Sequence, residues 1–151
     1  MEKQKSIATL QAYATGLAAQ SLQHKVQSKL FTSQGFSALG QKYADHAEEE
    51  MGWVDKFIDR LIDLGATPKV DPAPAMPVYE DVVEYIKSDL AISREQVPIL
   101  MQVTKSLEDD FKTYDILRAY ALDEEEDMYW SEAQLDLIEK IGLQNWLTKQ
   151  I

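Results

Sequence analysis

The segment Gly65–Asp81, GATPKVDPAPAMPVYED, carries four of the chain's five prolines: Pro68, Pro72, Pro74 and Pro77. Proline removes a backbone donor and pushes the preceding residue toward extended geometry, so neither a helix nor a central strand runs through this stretch. It reads as a linker between two stretches of similar length. On either side of it, apolar residues recur at spacings of three and four, with little of the alternation a strand needs. The spacing predicts helices over 4–33, 37–64, 79–108 and 112–140, and a short tail helix over 144–150. Breaks fall at Gln34-Gly35, at the proline segment, at Glu108-Asp109-Asp110 and at Gly142. Short links make the first and second helices antiparallel, and likewise the third and fourth. The long middle link lets the chain cross along the bundle before the third helix starts. The expected fold is all-α: one domain, 1–151, folded as an antiparallel four-helix bundle with a long crossover between helices two and three and a short C-terminal fifth helix.

Composition agrees with one globular domain. The chain has 151 residues, 45% of them hydrophobic and 27% charged, which is too apolar for disorder. No apolar run approaches the length of a membrane span, and the opening MEKQKSIATL lacks the apolar stretch of a secretory signal. The absence of cysteine removes disulfides and thiolate metal sites. The cytoplasm is the expected compartment. A formal charge of −11 without a basic stripe argues against a nucleic-acid partner. Such an acidic surface serves solubility, and it also concentrates cations.

The core faces follow from the heptads. Helix one offers Ile7, Leu10, Ala14, Leu17, Ser21, His24, Ser28 and Phe31. Helix two offers Leu39, Tyr43, His46, Glu50, Trp53, Phe57 and Leu64, with Arg60 as a polar break. Helix three supplies Val83, Ile86, Leu90, Ser93, Val97, Leu100, Thr104 and Leu107. Helix four supplies Leu117, Tyr120, Glu124, Asp127, Ser131, Gln134, Ile138 and Ile141. Each stripe turns polar near its own middle, and in an antiparallel bundle mid-helix positions meet at one level. A polar layer inside the bundle is therefore expected.

Buried carboxylates need a partner, a proton or a metal. A bundle core holds two irons with a Glu from each of two helices and a Glu-x-x-His pair from each of the other two. No Glu-x-x-His occurs in this chain: Glu50 is followed by Trp53, and Glu124 by Asp127. Glu50, Glu124, Asp127 and His24 suffice for one hard or borderline cation at most. The other reading has Glu50 and Glu124 sharing a proton, or pairing with His24 or Arg94. Trp53 reads as packing, and the charged run Asp123–Asp127 as mostly solvated face. His46 with Glu49 offers a cation site on an inner surface, or simply solvated acidic helix.

Two segments resemble bacterioferritin, within the ferritin-like superfamily: EEEMGWVDKFIDRLIDLGATPKV (Glu48–Val70) and LDEEEDMYWSEAQLDLIEKIGLQNWLTKQI (Leu122–Ile151). The segment SDLAISREQ (Ser88–Gln96) fits more weakly, and the first helix matches poorly. The resemblance implies a homo-oligomer, at least a dimer and at most a hollow cage storing iron as a mineral. A mixed cage with a catalytically complete subunit is the other assembly it allows. Carried over position by position, the family's bridging glutamates fall at Glu50 and Glu124. Its histidines fall at Trp53 and Asp127, and its terminal glutamates at Leu17 and Ser93. A divergent member with a degenerate di-iron site is thus implied, without ferroxidase chemistry of the family type. The family's haem-ligating methionine falls at Met51, so haem joins iron as an implied cofactor. Met51 also lies on an apolar strip with Ala47, Val54 and Ile58, and helix one has Ala19, Leu22, Val26 and Leu30 on a comparable flank. That suggests a dimer contact, while Lys25 and Glu48 are poor walls for a macrocycle. Three functions follow: an iron-storage cage subunit without its own oxidation centre, a metal-binding protein or enzyme with an altered single-metal centre, or a non-metal structural bundle.

Overall fold

The computed structural model describes residues 2–151. Its elements are α1 (Glu2–Ser33), α2 (Ser37–Asp63), α3 (Val82–Lys105), α4 (Phe111–Ile141) and α5 (Leu143–Thr148). The expected all-α bundle with a short fifth helix is what the chain forms. Its boundaries differ by up to three residues, for local reasons. Asp81 is extended and its carboxylate accepts from the Glu84 amide at 2.9 Å, so α3 starts at Val82 and residues 79–81 stay in the crossover. Asp110 caps α4 in the same way through the Thr113 amide.

Direction is fixed by side-chain bonds between α1 and α2. Ser21 Oγ donates to the Ala47 carbonyl and Ser28 Oγ to the Gly40 carbonyl, both at 2.7 Å. As numbers rise on α1 they fall on α2, the antiparallel arrangement. The helices approach so closely there that a Cβ on Gly40 would stand 2.9 Å from the Ser28 carbonyl oxygen and collide with the Thr32 hydroxyl.

The crossover runs along α1, fastened to glutamines. Gln11 donates to the Lys69 carbonyl at 3.0 Å and accepts from the Lys69 amide at 2.8 Å. Gln23 donates to Pro77 O at 2.8 Å, and Gln34 to Glu80 O at 2.7 Å. Gln27 holds Tyr79 both ways, at 3.0 and 2.6 Å. These contacts carry the strap about 35 Å along α1, to the end where α2 also begins. So α2 and α3 run parallel, and α1 and α4 run against them.

The tail closes that end. Gly142, at φ +83, turns the chain, and Trp146 is buried with its Nε1–H donating to Gln134 at 3.0 Å. The Gln150 carbonyl then accepts from the Ala38 amide at 2.9 Å, capping α2, which has no side-chain cap of its own.

Two apolar clusters fill the interior. One is aliphatic, built on Leu10, Leu17, Phe57, Leu61, Leu100 and Leu117. The other is aromatic, built on Phe31, Tyr43, Tyr85, Ile86 and Trp146. On α3 the buried face is Val82, Tyr85, Ile86, Leu90, Val97, Leu100 and Thr104, so Val82 takes the place expected of Val83. Between the two clusters lies the polar layer. Among the described residues, no helix is long and apolar enough to cross a membrane.

Candidate metal centre

The layer is centred on His24 of α1, which is 2% exposed. Its Nδ1 lies 2.5 Å from Glu50 Oε1 on α2, and its Nε2 lies 3.2 Å from Asp89 Oδ1 on α3. With both carboxylates ionised, each ring nitrogen donates and the ring is an imidazolium; burial pushes the Glu50 carboxyl up, and its bond to His24 only partly offsets this. Burial alone would lower its pKa, but the bonds to Asp89 and Glu50 outweigh that and raise it to about 10. Glu124, nearly as buried, is pushed up to about 8 by burial and by the neighbouring Glu50 and Asp127. It faces a cavity between α1 and α3 rather than His24 alone. Arg94 does not serve this layer: it is exposed and reaches Glu132 at 3.8 Å, so the alternative of an Arg94 partner for Glu50 or Glu124 is corrected.

The positions that the resemblance assigns to other ligands are filled differently. Leu17 is packed in the aliphatic cluster. Ser93 lines the cavity. Trp53 turns its indole N–H to Asp123 Oδ2 at 2.9 Å. Polar residues instead stand further along: His24 beyond Leu17, His46 before Glu50, Asp89 before Ser93, Asp127 after Glu124. Given the helix directions, all four displacements point the same way along the bundle, toward the aromatic cluster.

A second group lies between α2 and α4. Glu49, Asp123 and Asp127 each bring a carboxylate oxygen to within 4.8 Å of the others, and among the described residues this is the trio of possible ligands so gathered. His46 Nε2, on a ring only 4% exposed, lies 3.2 Å from Asp127 Oδ1 yet makes no hydrogen bond. Three carboxylate oxygens form a hard donor set suited to a divalent cation, with His46 beside it at Asp127 alone. The Trp53 bond to Asp123 is the kind of outer contact that orients a ligand. Burial, then Asp123 and Asp127, push the Glu49 carboxyl up, and His46 and Lys42 only partly offset this.

Of the four residues expected as ligands, the structure joins His24 to Glu50, turns Glu124 to the cavity and places Asp127 in the second group. Sequence reasoning passed over Asp89 and Asp123. Asp89 lies one turn before Ser93 and one after Tyr85, a spacing that marks the inner face of α3. Asp123 was hidden by the acidic run around it. Met51 is 42% exposed on the outer flank of α2, beside a groove that includes Lys25, Lys29, Asp45, Glu48 and Asp55. Leu22 and Val26 are exposed on α1, as expected of that flank.

Residues 7–141 match the family model of the ferritin-like domain. The chain is 34% identical over 145 residues to a bacterial ferritin of Pseudomonas aeruginosa, covering 94% of each. It is 36% identical over 132 residues to a bacterial ferritin of Neisseria meningitidis, covering 85% of each. A bacterioferritin of Brucella melitensis is 26% identical over 123 residues, which cover 80% of this chain and 76% of that protein. A bundle with a long strap, a carboxylate-rich interior and a family match spanning α1 to α4 lead to one assignment: the chain belongs to the ferritin-like family.

Proposed function

We propose that this chain is an iron-storage cage subunit that seats ferrous iron between α2 and α4 and lacks a family-type oxidation centre inside the bundle. Iron storage is the function of the family; what is particular to this chain is where the metal goes. The observation that carries the reading is His24 held between Glu50 and Asp89. A fixed imidazolium there offsets part of the carboxylate charge that would otherwise call for metal, and with both ring nitrogens protonated it cannot itself ligate one. The outer trio, Glu49, Asp123 and Asp127, is touched by His46 at Asp127 alone and opens to solvent through Glu49. It supplies carboxylates against which a mineral can start, while oxidation falls to a catalytically complete partner subunit or to slow reaction in solution.

Met51 fits a haem poorly. Its thioether is exposed, but the charged walls beside it suit water or a partner's opposite charges better than a porphyrin face. Met51 therefore serves as contact packing between copies.

The test is a purified, metal-free preparation sized by light scattering, scanned by absorption and titrated with ferrous iron without oxygen. Expected are an assembly many times the 17.2 kDa chain, no Soret band, one tightly held cation per chain, and no rapid two-iron oxidation burst when air is admitted. A monomer or plain dimer ends the cage reading, a Soret band reverses the assignment of Met51, and a two-iron burst ends the incomplete-centre reading. A second reading places the single cation inside, on Glu50, Glu124, Asp127 and His24. It is favoured by Glu50 Oε2, which is buried without a hydrogen bond. Glu50→Gln would remove that cation and Glu49→Gln would spare it; the primary reading expects the reverse.

A further inference from the structure

Between α1 and α3 lies a slot of about 440 Å³, a size typical of small-molecule sites. Its lining changes character along its length. Gln20, Asp89 and Glu124 stand at one end, and Tyr13, Val97, Leu100 and Tyr120 toward the other. Asp89 and Leu100 are about 16 Å apart along α3, so the slot is long relative to its width. Gly16 lies on its wall, and a Cβ there would meet nothing within 4 Å. Among the described residues, the side-chain amides of Gln20 and Gln96 form no hydrogen bond within the chain. Its polar end borders the His24 layer, with which it shares Asp89, and it lies apart from the Glu49, Asp123 and Asp127 trio.

The lining says what it would take. Asp89 attracts a positive charge, and so does Glu124 once it gives up its proton, but they do not join a third acid or histidine closely enough to grip a bare metal ion; among the described residues that grouping occurs only at Glu49, Asp123 and Asp127. A hydrated ion would leave the apolar end unused. A cation with a hydrocarbon tail uses both ends. We propose that the slot binds a small alkylammonium, its nitrogen held by Asp89, Gln20 and Glu124 and its chain laid along Leu17, Val97, Leu100 and Tyr120. The tyrosine rings, Tyr13 and Tyr120, packed edge to face at 6.2 Å, give the tail an aromatic wall. This ligand is independent of iron, and the inference stands apart from the cage reading.

Calorimetric titration of the assembled, metal-free protein with n-butylamine, n-hexylamine and hexan-1-ol tests it. Saturable binding of one amine per chain is expected, tightening about two- to fourfold for each added methylene, with hexan-1-ol at least tenfold weaker. Glu124→Gln should weaken hexylamine at least tenfold. Gly16→Leu, which places a side chain in open space and favours the helix, should abolish binding while leaving the far-ultraviolet spectrum and assembly size unchanged. The proposal is overturned by no saturable amine binding, by equal binding of hexan-1-ol, by hexylamine affinity unchanged in Gly16→Leu, or by displacement of hexylamine by equimolar magnesium.

Discussion

Arg60, near the end of α2, and His24, near the middle of α1, both put positive charge inside the bundle, and their surroundings are finished to different degrees. Arg60 Nη2 reaches Asp110 at 2.6 Å, Nε reaches Thr113 at 3.0 Å and Nη1 approaches Asp63 at 3.7 Å. That knot ties the end of α2 to the start of α4 and leaves Asp110 Oδ2 as its own unused buried acceptor. The His24 layer touches more helices and leaves more undone: Tyr43 OH, Tyr85 OH, His46 Nε2 and Glu50 Oε2 are all buried without a hydrogen bond. Burying polar atoms unpaired costs stability. A chain that can finish Arg60 and yet leaves these atoms open, beside a carboxylate trio, has given up stability where a ligand could recover it.

The largest expected effect separates the two by pH. The His24 pKa in the folded chain is raised to about 10, above the ordinary 6.5, so its contribution is fully present below pH 6.5 and is lost as pH rises through 10. Glu124, raised to about 8, acts in the same direction and loses its contribution as pH climbs from 4.5 through 8. Urea unfolding at pH 6 and pH 10.5 should differ by on the order of 7 kcal/mol, and His24→Gln should remove the share that is lost between pH 6.5 and pH 10. A flat profile in the native chain would put His24 in its neutral form.

Arg60→Met should cost about 3 kcal/mol, because it leaves Asp110 partly buried without its cation. Cation binding should be unchanged, measured on the same preparation. Gly40→Ala should cost about 2 kcal/mol, since the Ser28 backbone stands in the way of the new methyl group; denaturation midpoints report it. The smallest effect sharpens the site itself. Trp53→Phe keeps the packing against Tyr120, 5.7 Å away between ring centres, but frees Asp123. The affinity of the outer trio for a divalent ion should fall about tenfold with little change in stability.

The bundle was legible in the sequence because its determinants are local. Prolines forbid helix in the strap, and three-and-four spacing writes each helix into its own residues. The polar layer was legible too, since His24, Glu50 and Glu124 interrupt apolar stripes at matching heights. What the stripes do not encode is which polar atom meets which. Whether His24 faces a metal or bridges Glu50 and Asp89 depends on the rotation of three helices about their axes. Asp123 and Glu49 lie at the edge of the packed face, where periodicity assigns residues to solvent. The glutamines of α1 were silent for a similar reason: on an amphipathic helix a polar residue reads as surface, and nothing local marks it as a fastening.

Those glutamines have a consequence for how the strap can vary. They grip its peptide groups at Lys69, Pro77, Tyr79 and Glu80, not its side chains. The identity of the strap's residues is therefore loosely constrained while its length is not, because losing one residue between Lys69 and Pro77 would shift every later peptide group out of reach of its amide. Drift in this family member should collect as substitutions in the strap, with α1 keeping the clasp.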